Sequence, residues 1–166
     1  MARSSQVRQE FYFTAFGIPR PQGSKRYLGQ GRFVEASDVK PWRKSIADAV
    51  FRAWVSSGDD RPFTEPVIVW ATFYLPKPKS VKRLLPSVAP DLDKLQRALG
   101  DALSVDSKCL DDDALIVRWH SSKVYAASPE DAGVRVAIKT VALAESEKNN
   151  NSVTNADEFA FRDDLL

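Results

Sequence analysis

The sequence predicts an α+β fold, a mixed β-sheet flanked by two main helices. Three observations carry that expectation. Short β-rich segments and segments of helical periodicity follow one another as strand, hairpin, helix, strand, helix, strand, strand. One segment, 67–75, is a nearly continuous apolar run bounded by Pro66 and Pro76, the pattern of a central strand. Another alternates Val134, Val136 and Ile138 with Arg135, Ala137 and Lys139, the pattern of a half-buried strand.

The elements follow in order. Phe11 to Phe16 is rich in β-formers and reads as a strand. Residues 17–26 form a loop punctuated by Pro and Gly. Tyr27-Leu28 and Arg32-Phe33-Val34 flank Gly29-Gln30-Gly31 as a small hairpin. A helix follows, capped by Ser37 or Asp38, with Pro41 in its first turn. Trp42, Ile46, Ala49, Val50, Ala53 and Trp54 make its apolar face, and Gly58-Asp59-Asp60 ends it. After the central strand comes a basic loop from Pro76 to Arg83. A second helix over about 93–103 places Leu92, Leu95, Leu99, Ala102 and Leu103 on one side. Residues 115–125 read as a strand.

These elements make one domain over 10–141, after a flexible segment 1–9. Residues 142–166 form an acidic tail in which 145–155 is expected to be disordered. Its last ten residues mix apolar side chains with acids. They read as a frayed solubilising end, with folding onto a protein partner as the other reading.

Charge is unevenly spread. Residues 1–90 carry 15 Lys and Arg against 7 Asp and Glu, whereas 142–166 carry 2 against 6. A basic half is either a nucleic-acid surface or a solvated face. Cys109 is the only cysteine and His120 the only histidine, which excludes an internal disulfide and a Cys-His metal site. Met1 to Glu10 has no apolar core, so no signal peptide is expected, and no apolar run approaches a membrane span. The expectation is a cytoplasmic protein with no membrane partner.

Chemistry concentrates in Pro90-Asp91-Leu92-Asp93-Lys94-Leu95 and Leu110-Asp111-Asp112-Asp113. Clustered carboxylates are the usual ligands of Mg²⁺ or Mn²⁺. In a helix, residues two apart point in different directions, whereas in extended chain they share a face. Asp91 is therefore expected in extended backbone and Asp93 at the helix start, with the following loop returning Asp111–Asp113 to the same place. Ordinary structural roles compete with this reading. Aspartates complement a helix N-terminus, Asp111–Asp113 can be a turn, and Arg97 can pair with Asp93 or Asp101 along the helix. A metal–nucleotide site of the glycosyltransferase kind uses a similar motif, but the chain lacks the length and parallel-sheet pattern.

The run from Pro90 to Ala98, then Asp101-Ala102-Leu103, then Leu110-Asp111-Asp112, resembles the signature of RusA-type Holliday junction resolvases. These are small endonucleases of bacteria and their phages. Gln22-Gly23-Ser24-Lys25 and Pro41-Trp42-Arg43 agree with it, and the resemblance covers about 10–141. It implies a RusA-like fold, a homodimer, Mg²⁺ (or Mn²⁺) dependence and paired symmetric nicks in four-way DNA junctions. It makes Asp91, Asp93 and Asp112 the catalytic, metal-binding aspartates, with Asp111 or Asp113 in place of Asp112 if the register shifts. Two residues depart from the pattern: Lys94 stands where the family often has Asn, and Arg97 where it often has Lys. Arginine does not deprotonate at useful pH, so Arg97 can neutralise charge but cannot act as a base.

On this reading the metal activates water for in-line attack, and Arg97 and Lys94 stabilise the phosphate in the transition state. Lys25, Arg26 and Arg32, with Lys77, Lys79, Lys82 and Arg83, would track the DNA backbone, and the amides of Gly23-Ser24 can add a phosphate contact. Leu84 and Leu85 are expected in core or dimer packing, with a wedge into opened DNA as the other reading. The four tryptophans are expected in core or interface. His120 can face the site, although a structural role is the simpler expectation. Cys109 is expected as a small packing residue. Two rivals remain: a non-catalytic branched-DNA-binding protein of the same fold, and a nuclease acting on other branched replication or packaging intermediates.

Overall fold

The computed structural model describes residues 8–23, 26–27, 33–34 and 39–151, with side chains over 8–23 and 39–148. Its elements are β1 (Glu10–Phe16), β2 (Arg26–Tyr27), β3 (Phe33–Val34), α1 (Val39–Ser57), β4 (Val67–Leu75), α2 (Leu92–Asp101), β5 (Ile116–Tyr125), β6 (Gly133–Thr140) and α3 (Val141–Asn151). A π-helical turn at Ala102–Asp106 extends α2, and short 3₁₀ turns lie at Asp113–Leu115 and Pro129–Asp131.

Four strands form one sheet in the order β1-β6-β4-β5, and β2 and β3 pair as a separate hairpin. Only β4 and β5 run parallel; β6 is antiparallel to both β1 and β4. Parallel neighbours need a crossover, and α2 supplies it. The fold is thus α+β around a mixed sheet, as the sequence predicts.

The core lies between α1, α2 and one sheet face. Alternation in β1 turns Phe11, Phe13 and Ala15 inward. β4 adds Val67, Val69, Ala71 and Phe73, and β6 adds Val134, Val136 and Ile138. Against them pack Trp42, Ile46 and Val50 of α1 and Leu95, Ala98 and Leu99 of α2, each of which is buried. Burying one such large side chain contributes roughly 1.5–3 kcal/mol. Trp54 and Trp119 pack against this core from its margin. α1 stops after Ser57, where Gly58 takes φ +66° and its amide donates to Trp54 O at 2.9 Å. The expected cap at Ser37 or Asp38 lies outside the described residues.

Three expectations need correction. The helix expected to 103 is α-helical only to Asp101. It then widens, the Ser107 amide reaching back to Ala102 O at 2.9 Å, before Lys108 reverses the chain at φ +58°. β6 is not half buried, since Ala137 and Lys139 are buried as well. Ala137 lies between Tyr12 and Trp70 in the register, and Lys139 is engaged by α3, which forms where the sequence suggested a chain without structure from 145. α3 packs its buried Ala144 on the second sheet face, and Glu147 binds Lys139 Nζ at 2.9 Å. Residues 152–166 lie outside the described residues.

Candidate active site

The two acidic groups sit at opposite ends of α2. At its N-terminus Asp91 is extended, with φ −69° and ψ 141°, and the helix begins at Leu92, so Asp93 falls in the first turn. That is the local backbone the spacing predicts. Lys123 on β5 fixes the approach, its Nζ donating to the carbonyls of Val88 at 2.7 Å and Pro90 at 2.8 Å. Asp91, Asp93 and Arg97 are exposed, and Lys94 is half-buried. The Gln22 amide donates to Lys94 O at 3.0 Å, which brings the early loop beside the helix.

Lys94 Nζ lies 2.8 Å from Asp91 Oδ2. This hydrogen bond holds the Asp91 carboxyl below its ordinary value and raises the Lys94 ammonium above its own. Arg97 makes no ion pair among the described residues, so the competing structural role, a pairing with Asp93 or Asp101, is not formed.

The second group lies at the foot of β5. Phe63 pairs with Leu110 in a parallel bridge, and the Asp111 amide donates to Phe63 O at 3.1 Å. Asp112 is extended and accepts from the Ala114 amide at 2.8 Å, capping the 3₁₀ turn. A side chain on Gly100 would lie 4.0 Å from Asp113 Cβ, so this group abuts the C-terminal end of α2. Asp101, at that end, feels Asp113 and Asp106 as repulsive neighbours. Its carboxyl is raised, chiefly by burial. Arg43 of α1 offsets this cluster, with Nε 2.6 Å from Asp106 Oδ2 and Nη1 3.3 Å from Asp101 Oδ2.

At about 1.5 Å rise per residue, Asp91 stands about 13 Å and Asp93 about 10 Å along the helix axis from Gly100. The expected return of Asp111–Asp113 to the place of Asp91 and Asp93 therefore does not occur within one chain. The physical reason is the crossover: α2 runs antiparallel to β5, so a loop at its C-terminus enters β5 at the far end. Among the described residues no three His, Cys, Asp or Glu side chains gather into a group able to hold a metal. The donors have the hard-oxygen chemistry that suits Mg²⁺, but one protomer presents them as two halves.

The basic loop borders the N-terminal half. Lys77, Lys79, Lys82 and Arg83 are all exposed. Tyr125, at the end of β5, anchors the loop: Arg83 Nε donates to its hydroxyl at 2.9 Å, and Lys77 Nζ lies 5.4 Å from its ring centroid. Leu84 and Leu85 are 86% and 61% exposed, so the expected core packing is wrong for this chain. Arg26 lies in β2 with its side chain undescribed, and Ser24, Lys25 and Arg32 lie outside the described residues.

His120 does not face α2; it stacks on Trp70 across the opposite sheet face. Cys109 is fully buried and its thiol is pushed up to about 12 by burial, as suits a packing residue. Sequence reasoning passed over Lys123, Tyr125 and Gln96, whose amide donates to Ser121 Oγ between α2 and β5. Strand parity was the available signal, since Trp119, Ser121, Lys123 and Tyr125 alternate on the helix-covered side.

No helix among the described residues is long and apolar enough to cross a membrane. A family model described as Endodeoxyribonuclease RusA matches residues 16–139, from the last residue of β1 to the penultimate residue of β6, both acidic groups included. No curated protein matches the chain.

Proposed function

Because the chain belongs to the RusA endodeoxyribonuclease family, we propose that it resolves four-way DNA junctions by paired symmetric nicks, as a metal-dependent homodimer in the cytoplasm. The observation that carries this reading is the exposure of Asp91 and Asp93 at the N-terminus of α2, directly after a loop bearing four exposed cations. A polyanion held by the loop lies next to two carboxylates. The phosphate contacts of Lys77, Lys79, Lys82 and Arg83 position the backbone without reading sequence.

A two-fold dimer reconciles the donor set with the geometry. If Asp91 and Asp93 of one protomer meet Asp112 of the partner, two equivalent sites form. Those three carboxylates would hold the Mg²⁺ or Mn²⁺, which supplies Lewis acidity and a nucleophilic water when bound. Arg97, fixed in charge and without an ion pair among the described residues, neutralises the phosphate as the leaving oxygen departs. Lys94 favours the ionised form of Asp91 through their hydrogen bond. Lys123 fixes the Pro90 carbonyl and with it the direction of the Asp91 side chain. Other branched replication or packaging intermediates are the alternative targets of the same chemistry.

One observation favours a second reading. The Lys94 ammonium already occupies Asp91, which suits a protein that binds junctions without cutting them. A synthetic four-way junction and a matched duplex, each incubated with Mg²⁺ or with EDTA, separate the two. Paired nicks in the junction alone, and only with metal, establish the resolvase. Binding without nicks under both conditions establishes the structural protein.

A further inference from the structure

β5 is a ten-residue strand with a partner strand on one side only. It ends the sheet order β1-β6-β4-β5 and is paired with β4 alone. Every second residue of such an edge turns its N–H and C=O outward. Among the described residues no backbone hydrogen bond reaches that outer side. Edge strands are commonly blunted by proline, by outward lysines or by bulges. β5 contains no proline and no glycine, and its one register shift lies at its start, opposite Val67 and Ile68. Its lysine is turned away, since Lys123 Nζ is held by the carbonyls of Val88 and Pro90. Val117, near its start, is 60% exposed. Such an edge is a template for another strand.

The seat of α2 identifies the occupant as a second copy of this chain. α2 lies on β5 and runs antiparallel to it. Gln96 donates to Ser121 Oγ at mid-strand, and a side chain on Gly100 would meet Trp119, Ile116 and Asp113 at the strand's foot. Asp93 lies about 4.5 Å before Gln96 along the helix axis, and Gly100 about 6 Å after it. A two-fold axis beside Ser121 therefore brings the Gly100 end of one copy to within about 2 Å of the level of Asp93 in the other. Charge agrees with this arrangement. The foot of β5 carries the exposed Asp111, Asp112 and Asp113, whereas its far end carries Lys94, Lys123 and the exposed cations of the basic loop. Antiparallel copies set an acidic foot against a basic far end at both ends of the contact. The other edge strand, β1, lies at the opposite margin of the sheet, so pairing through it would leave the acidic groups apart.

We propose that β5 pairs antiparallel with β5 of a second copy, with Ser121 facing its own equivalent across the two-fold axis. Two four-stranded sheets then become one of eight strands. The axis of a symmetric antiparallel pair passes where a residue faces itself. With Ser121 there, Val117 of one copy faces Tyr125 of the other, Arg118 faces Val124, and Trp119 faces Lys123. No like charges are opposed, and the exposed Val117 is covered by a ring. An axis at Arg118 or at Lys123 would set like charges face to face. The pairing deepens the junction-resolving reading by naming the surface through which the two halves of the site meet, and it rests on that reading for their need to meet.

The test uses the full chain in EDTA, without DNA. Residues that face each other in an antiparallel pair have Cα atoms about 4.5–5.5 Å apart, within reach of a disulfide, whereas diagonal neighbours at about 7–8 Å are beyond it. Ser121→Cys should therefore give a disulfide-linked dimer under mild oxidant. Ser122→Cys, whose own equivalent is a diagonal neighbour, should not. The native Cys109 is fully buried and stays silent. Val117→Lys, at a position exposed in the single chain, should raise the dimer dissociation constant in sedimentation by about tenfold or more, with an unchanged circular dichroism spectrum. Should Ser121→Cys not fold, Val117→Lys decides alone. A wild-type chain that sediments only as a monomer overturns the pairing. So does cross-linking of Ser122→Cys as readily as Ser121→Cys, or a dimer that ignores Val117→Lys. Dimers that appear only once 152–166 are removed assign the edge to the tail, and equally overturn it. Junction nicking read on the same variants keeps the two proposals apart. Cross-linked dimers of a chain that never nicks retain the pairing and sink the nuclease. Nicking by dimers that ignore Val117→Lys sinks the pairing alone.

Discussion

Lys94 Nζ stands 2.8 Å from Asp91 Oδ2, one helical turn along α2, so a cation of the chain already neutralises one of the aspartates expected to hold a metal. Lys94→Asn removes that competitor. The expected outcome is a severalfold lower half-saturating Mg²⁺ concentration for nicking. The pH dependence has a definite sign. With Lys94 present the Asp91 carboxyl lies below its ordinary value. Without it the carboxyl rises, so the acid limb of the rate profile moves to higher pH. An unchanged metal requirement would show that the pair is only a surface contact.

The two-halves geometry makes a prediction that no single-chain site can share. Asp93→Asn and Asp112→Asn should each lower nicking by more than about a hundredfold, the upper range for loss of supporting groups around a metal. Junction binding should persist. Mixed after unfolding and refolding together, the two variants form heterodimers. One site then carries both substitutions and the other carries neither. Single nicks should return. If each site is built within one chain, every site is defective and mixing restores nothing.

Much of this was legible in the sequence. The 3.6-residue period marked α1 and α2, the apolar run marked β4, and Pro90 with an N-cap aspartate set the extended-then-helical backbone at Asp91. The placement of Asp112 was not legible, because spacing along a chain does not say which end of a crossover helix a loop reaches. α3 was missed because it carries little apolar periodicity; what seats it is Lys139, a buried cation whose partner, Glu147, lies eight residues on. Trp70 was assigned to core or interface and His120 to a structural role or the site; that they stack on each other was not legible, because nothing local records the β4–β5 register that makes them neighbours.

Arg43 should matter for stability more than any exposed cation. Its side chain is 13% exposed and ties α1 to Asp101 and Asp106, some 60 residues away. Arg43→Ala leaves those carboxylates facing each other and Asp113. A cost of about 2 kcal/mol is expected in urea unfolding, below the 3–5 typical of a fully buried pair. The folded Asp101 carboxyl is already raised above its unfolded value of 3.8. Between those values the native state binds the extra proton, so this group's contribution falls as pH rises. Losing Arg43 raises the carboxyl further, and the variant's deficit should shrink on acidification. A deficit independent of pH would mean that packing of the Arg43 stem, rather than its charge, is what was lost.

Gly133 opens β6 opposite Phe16, and the register leaves no room for a side chain there. A Cβ would lie 2.1 Å from Ala15 O, inside any van der Waals contact, and the obstacle is backbone that cannot rotate away. Gly133→Ala must part β1 from β6 at this point. Overpacking a rigid site costs 1–3 kcal/mol, and a backbone clash belongs at or above about 3. Strand β1 supplies Phe11, Phe13 and Ala15 to the core, so its displacement would also loosen the seat of α1. Thermal unfolding should show a drop of many degrees, with amide exchange accelerated along β1 before β4. Wild-type stability in this variant would mean that the β1–β6 pairing slides without cost, and that the register is not fixed at that end.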